Sequence, residues 1–66
     1  MSTIKEIHVA LENGQNKDAV KMINEYGLYD FWSDYKLFLL ETVQELYLEY
    51  EYFSNAVIVY NRITNR

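Results

Sequence analysis

Ile4, Ile7, Ala10 and Leu11 recur at the three- and four-residue intervals that place side chains on one face of an α-helix. Thr3 and Glu6 stand at capping-box spacing at its start, where a hydroxyl and a carboxylate satisfy reciprocal backbone donors. Asn13-Gly14 ends the run, glycine being the residue best suited to the left-handed turn after a helix. A second amphipathic run carries Ala19, Val20, Ile23 and Tyr26, with Asn16 placed to cap it and Gly27 to close it. Two short helices joined by a tight turn predict an antiparallel hairpin.

Beyond Gly27 the chain has neither glycine nor proline. Asp30 and Ser33 are both suited to cap a third helix. From there a 4-3 spacing of apolar and aromatic residues runs through Leu39, Val43, Leu46, Tyr50, Phe53, Val57 and Tyr60. One uninterrupted helix from Ser33 to Thr64 would be about 48 Å long, against about 15 Å for each hairpin helix. Its seam would lie largely bare and call for a partner or a second copy. A broken helix instead permits a four-helix monomer. Phe53-Ser54-Asn55 is the candidate break, because Ser and Asn compete with the helix for backbone hydrogen bonds. The β-branched run Ala56–Tyr60 has no second strand signal to pair with. The expectation is an all-α fold over residues 1–66, a short N-terminal helical hairpin packed on a long C-terminal helix that is bent or broken near Ser54.

A shift of 37 residues superposes Leu11-Glu12, Ala19-Val20 and Asn24 on Leu48-Glu49, Ala56-Val57 and Asn61. The stretches NGQNKDAVKMIN and YEYFSNAVIVYN each resemble the turn and second helix of a tetratricopeptide-type helical hairpin. The resemblance covers about half of the chain, and Glu51 stands where the first copy has Gly14. It implies a small residue, Ala19 or Ala56, at the closest approach of paired helices, and a protein-binding role.

Composition narrows the functional classes. There is no cysteine and one histidine, so neither disulfides nor a zinc site of the usual kind can staple this small chain. Seven Tyr, three Phe and one Trp supply the apolar weight instead. A net charge of −4 argues against a nucleic-acid partner, which needs a cationic footprint, and Lys17 and Lys21 are diluted by Asp18 and Glu25. The apolar runs Leu37–Leu40 and Ala56–Tyr60 are far shorter than the roughly 20 residues of a membrane span. The polar N-terminus lacks the apolar stretch of a signal peptide, so a cytoplasmic location is expected. Phe, Tyr, Met, Ile, Asn and Lys number 27 against 7 for Gly, Ala, Arg and Pro, a bias expected of an AT-rich phage or bacterial genome.

No residue set carries a catalytic or cofactor motif. His8 sits beside the apolar face of the first helix, the place of a boundary residue, and no nucleophile motif or phosphate loop accompanies it. Asp30 and Asp34 share a face, yet no calcium-loop spacing is present. No enzyme activity, cofactor or metal is expected. Trp32 reads as a core plug between the hairpin and the third helix.

The segment ETVQELYLEYEYF raises the functional question. Glu41, Glu45 and Glu49 would form an i,i+4 ladder on a continuous helix, and no base lies between Lys36 and Arg62 to relieve it. Tyr47, Tyr50 and Tyr52 spread too widely around a helix for a small core to cover them all. Tyrosine is enriched at binding hot spots. Glu41, Glu45, Tyr47, Glu49, Tyr50 and Tyr52 are therefore the candidate protein-binding residues of a small non-enzymatic regulator or inhibitor. Its expected partner is a larger cytosolic protein with a basic surface. The alternative is a homodimer joined along the Leu39–Tyr60 seam.

Overall fold

The computed structural model describes residues 2–65. These form four α-helices and no strand among the described residues: α1 (Ile4–Glu12), α2 (Asn16–Tyr26), α3 (Leu28–Thr42) and α4 (Leu46–Thr64). The capping box forms as its spacing predicts. The Glu6 N–H donates to Thr3 Oγ1 at 3.3 Å, and the Thr3 N–H donates to Glu6 Oε1 at 3.2 Å. Gly14 adopts φ 73° in the turn that follows α1. Asn16 does not cap α2 but is its first residue, preceded by Gln15, whose N–H is already satisfied by the Ala10 carbonyl at 2.9 Å.

Gly27 makes the whole connection between α2 and α3. Its N–H donates to the Ile23 carbonyl at 3.0 Å, and its carbonyl accepts from the Phe31 N–H at 2.8 Å. At φ 108° it occupies backbone space that side-chain-bearing residues rarely enter, so one residue reverses the chain. Asp30 and Ser33 consequently lie inside α3 rather than capping it.

The long C-terminal helix is broken, but not at Ser54. The chain turns at Val43-Gln44-Glu45, where Gln44 takes φ 60°, and α4 then runs without interruption through Ser54 and Asn55. Length explains the position. With 9, 11 and 15 residues, α1, α2 and α3 span about 14, 17 and 22 Å. By Thr42, α3 has outrun both hairpin helices, and further helix would find nothing to pack against. Reversal lets α4 lie back over the bundle, within a molecule whose longest dimension is 32 Å. With Phe53, Ala56 and Val59 packed on that core, Ser54 and Asn55 stay helical despite their local preference.

α1 packs on α2 and α3, α2 on α3 and α4, and α3 on α4. Ile7, Ala19, Ile23, Phe31, Leu39 and Ala56 have no solvent exposure at all. Full burial of Ala19 and Ala56 agrees with the small-residue role that the hairpin resemblance implies. Aromatic rings fill much of the remaining space. Tyr35 stacks on Phe31 at 5.0 Å between centroids, and Trp32 meets Phe31, Phe53 and Tyr60 edge-on at 5.0, 5.4 and 6.0 Å. Trp32 thus packs as a plug whose ring reaches α4 through Phe53 and Tyr60.

The 4-3 seam does not survive as one buried line. Leu39 is fully buried, whereas Leu46 and Tyr50 lie 80% and 74% exposed. The reversal at Gln44 changes which face of the chain meets the core, and α4 buries Ala56 and Val59 instead.

The left-handed backbone at Gln44 generates a test. Gln44→Ile should lower unfolding stability by about 1–2 kcal/mol, the usual cost of that conformation for a side-chain-bearing residue. Gln44→Gly should leave the melting temperature unchanged or raise it, as read by circular dichroism.

Candidate protein-binding surface

Six of the seven tyrosines divide into two groups by what their hydroxyls and rings touch, and Tyr52 stands between the groups. Tyr26 donates to Asp34, joining α2 to α3, and this bond raises the Tyr26 pKa above its ordinary value, with the neighbouring carboxylates adding to it. Tyr60 donates to Asn24 Oδ1 at 2.7 Å, joining α4 to α2. Tyr35 is buried with its hydroxyl 2.8 Å from His8 Nδ1, joining α3 to α1. Tyr52 is half-buried, its ring edge-on to His8 at 5.4 Å. Tyr29, Tyr47 and Tyr50 are 87%, 69% and 74% exposed. The first three tie helices together; the last three face solvent.

His8 is the residue that sequence reasoning misplaced. It is 8% exposed, not a boundary residue, and lies among the rings of Tyr35, Phe38 and Tyr52. Burial pushes the Tyr35 phenol well above its usual pKa, with the Glu12 carboxylate adding to the effect. The phenol therefore keeps its proton; its hydroxyl and Nδ1 share one hydrogen bond, while Nε2 lies 3.2 Å from Glu12 Oε1. Both imidazole nitrogens are engaged, and no buried side-chain polar atom among the described residues lacks a partner. This is a satisfied structural clasp. Nothing in the sequence could have paired His8 with Tyr35, 27 residues away on another helix.

The proposed acidic ladder is divided by the elbow. Glu41 lies in the last turn of α3, Glu45 is the N-cap of α4 in extended backbone, and Glu49 is in the first turn of α4. They therefore do not line one helical face. The three acids also differ in local cause. A helix N-terminus carries partial positive charge, so Glu49 has a favourable position and Glu45 borders it. Glu41 sits at the negative end of α3, where the last turn has no basic residue. Of the three, Glu41 is the carboxylate that helix electrostatics disfavour.

The structure does bring Leu46, Tyr47 and Tyr50 together on the first turns of α4, beside Glu45 and Glu49 and across the elbow from Glu41. Below them a groove of about 350 Å³ runs between α3 and α4, lined by Lys36, Leu39, Leu46, Glu49, Tyr50 and Phe53. The Lys36 ammonium stands 5.1 Å from the centre of the Phe53 ring. Tyr52, turned toward His8, contributes to core and surface alike. Leu46 is the exposed residue the candidate set lacked; its place in the 4-3 seam marked it for burial instead.

Among the described residues no group of three or more His, Cys, Asp or Glu side chains is placed to hold a metal ion. Among the described residues no helix is long and apolar enough to cross a membrane. No family model, curated protein or solved structure matches this chain.

The clasp sets an alkaline signature. A phenol whose pKa is raised by folding contributes stability that is fully present below the ordinary value near 10 and is lost as pH rises toward the folded value. Wild type should therefore lose stability more steeply above about pH 10 than Tyr35→Phe. At neutral pH, Tyr35→Phe should cost about 1–3 kcal/mol by leaving the buried Nδ1 without its partner. Denaturant titrations across that pH range measure both.

Proposed function

We propose that this chain is a small non-enzymatic protein-binding regulator, of the inhibitor type, acting in the cytoplasm on a larger protein with a basic surface. The observation that carries the reading is the cluster of Leu46, Tyr47 and Tyr50, each more than two-thirds exposed, on the first turns of α4 with Glu45 and Glu49, while Glu41 lies in the last turn of α3 on the other side of the elbow. Large apolar side chains concentrated at one point are a feature of interaction sites, whereas scattered ones need no explanation. Tyrosine suits such a site because its ring buries area while its hydroxyl finds a hydrogen bond. The surrounding acids fit a partner with Lys or Arg around an apolar centre, an arrangement that chiefly raises association rate and selectivity.

Glu41 adds a separate argument. A carboxylate retained at a helix C-terminus costs about 0.3–1 kcal/mol relative to a neutral residue. Contact with a cationic partner would offset that cost in the complex.

Capture of the tagged protein's partner from host lysate, read by mass spectrometry, tests the reading. Tyr47→Ala combined with Glu41→Gln should reduce recovery of the captured protein by about tenfold or more, the scale of a hot-spot loss. Its melting temperature should stay level or rise. Undiminished capture by that variant, or a loss matched by unfolding, overturns the proposal.

A further inference from the structure

The elbow between α3 and α4 is held by little. Val43, Gln44 and Glu45 include no glycine or proline, and Gln44 sits at φ 60°, a conformation unfavourable for a residue with a side chain. Gln44 Nε2 reaches the Glu41 carbonyl only at 3.5 Å, and Glu45 makes no side-chain capping bond at the start of α4. The same residues suit an unbroken helix. Wound as one, the 4-3 seam from Leu39 to Tyr60 passes through the elbow as a single stripe about 100° wide, flanked by Leu40 and Tyr47. Glu41 and Glu45 fall on the opposite face. The folded chain interrupts this stripe where its sequence is well suited to continue it.

The packing of α3 on α4 shows what would cover such a rod. The two helices run antiparallel, with Trp32 against Tyr60, Lys36 over Phe53, and Leu39 sharing a groove with Tyr50. In two antiparallel rods side by side, each of these contacts forms again, between α3 of one copy and α4 of the other. Continued inward, that register sets Val43 of each copy opposite Leu46 of the other. Leu46 and Tyr50, 80% and 74% exposed in the single chain, then join an unbroken seam. The bonds of α4 to the hairpin, such as Tyr60 to Asn24, are likewise remade across copies. We infer that the elbow is a hinge, and that two chains exchange α4 to form a two-fold dimer of continuous α3–α4 helices. Exchange of an identical element is a low-cost route to a dimer, and a short strained connection favours it. The occupant is fixed by contacts the chain makes with itself, since Phe53 and Tyr60 stay packed on an α3. Only in the rod do Glu41, Glu45 and Glu49 align at i,i+4, and their repulsion favours the closed form in dilute solution. The dimer takes up Leu46 and Tyr50 at its centre, so exchange withdraws part of the surface proposed above for a partner. The exchange itself does not depend on that assignment.

A distance within one chain tests this. The chain has no cysteine, so Ser33→Cys with Asn61→Cys places a single pair of spin labels, at exposed positions of α3 and α4. In the closed chain both lie toward the same end of an antiparallel pair, within a molecule whose longest dimension is 32 Å. In the rod they stand about 42 Å apart. Labelled chain is refolded with excess unlabelled chain at hundreds of micromolar, so that only distances within one chain are read. The dimer fraction, identified by sedimentation equilibrium at twice 7.9 kDa, should show the long distance. Gln44→Gly should raise the dimer dissociation constant at least about tenfold, because glycine favours the elbow and disfavours the helix in both copies. Gln44→Ile should lower it by about tenfold, because a β-branched residue fits the helix and not the elbow. A dimer whose intrachain distance stays short, equal association of the Gln44→Gly and Gln44→Ile chains, or a Gln44→Ile chain still monomeric at hundreds of micromolar overturns the proposal.

Discussion

Helix length is the constraint from which the rest of this structure follows. A hairpin of 9- and 11-residue helices offers a short platform, and only about 15 Å of another helix can be covered by it. Thirty-seven residues remain between Leu28 and Thr64 once Gly27 has reversed the chain. Left as one rod they would project beyond anything able to bury them. Division at Gln44 gives two helices that both lie on the platform, and the cost is one residue held at φ 60°. That cost is small beside the apolar area gained when Ala56, Val59 and the rings of Phe53 and Tyr60 reach the bundle. The division also decides what is left over. The first turns of α4 emerge from the elbow before the helix has met the core, so Leu46, Tyr47 and Tyr50 remain uncovered.

An aromatic core this rich carries polar atoms that aliphatic residues would not, and each needs a partner. Three phenols meet that need across helix boundaries: Tyr26 with Asp34, Tyr35 with His8, and Tyr60 with Asn24. The packing is non-directional, but these bonds are not. Sliding one helix by a turn would preserve much of the ring contact and break the hydrogen bonds. In a chain with no disulfide, they are the features best suited to fix register.

The hairpin was legible because its ends are written in local chemistry. Thr3 and Glu6 satisfy each other's donors, and Gly14 and Gly27 take backbone angles other residues avoid. The break was not legible, because Thr42-Val43-Gln44 carries no local stop signal while Ser54-Asn55 does. Tertiary fit overrode propensity at both places. The same override explains the candidate surface. Tyr47 stood out as surplus, and Leu46 did not, because a 4-3 pattern identifies residues that suit a helix neighbour without saying whether that neighbour lies in the same chain. His8 was read from its own helix, yet its environment is supplied by α3 and α4.

The acids of the elbow sharpen the functional argument once they are separated. Glu45 and Glu49 have a reason to be acidic that requires no partner, since both sit at the positive end of α4. Their presence alone therefore says little about binding. Glu41 has no such reason, and it stands across the elbow from the exposed rings of Tyr47 and Tyr50. A residue that helix electrostatics disfavour, at the same elbow from which folding leaves apolar groups uncovered, is a local departure from what stability alone would select. Departures of that kind concentrate where a surface serves something other than its own fold. The weight of the binding argument thus moves from the acidic run as a whole to Glu41 and the two exposed tyrosines of α4.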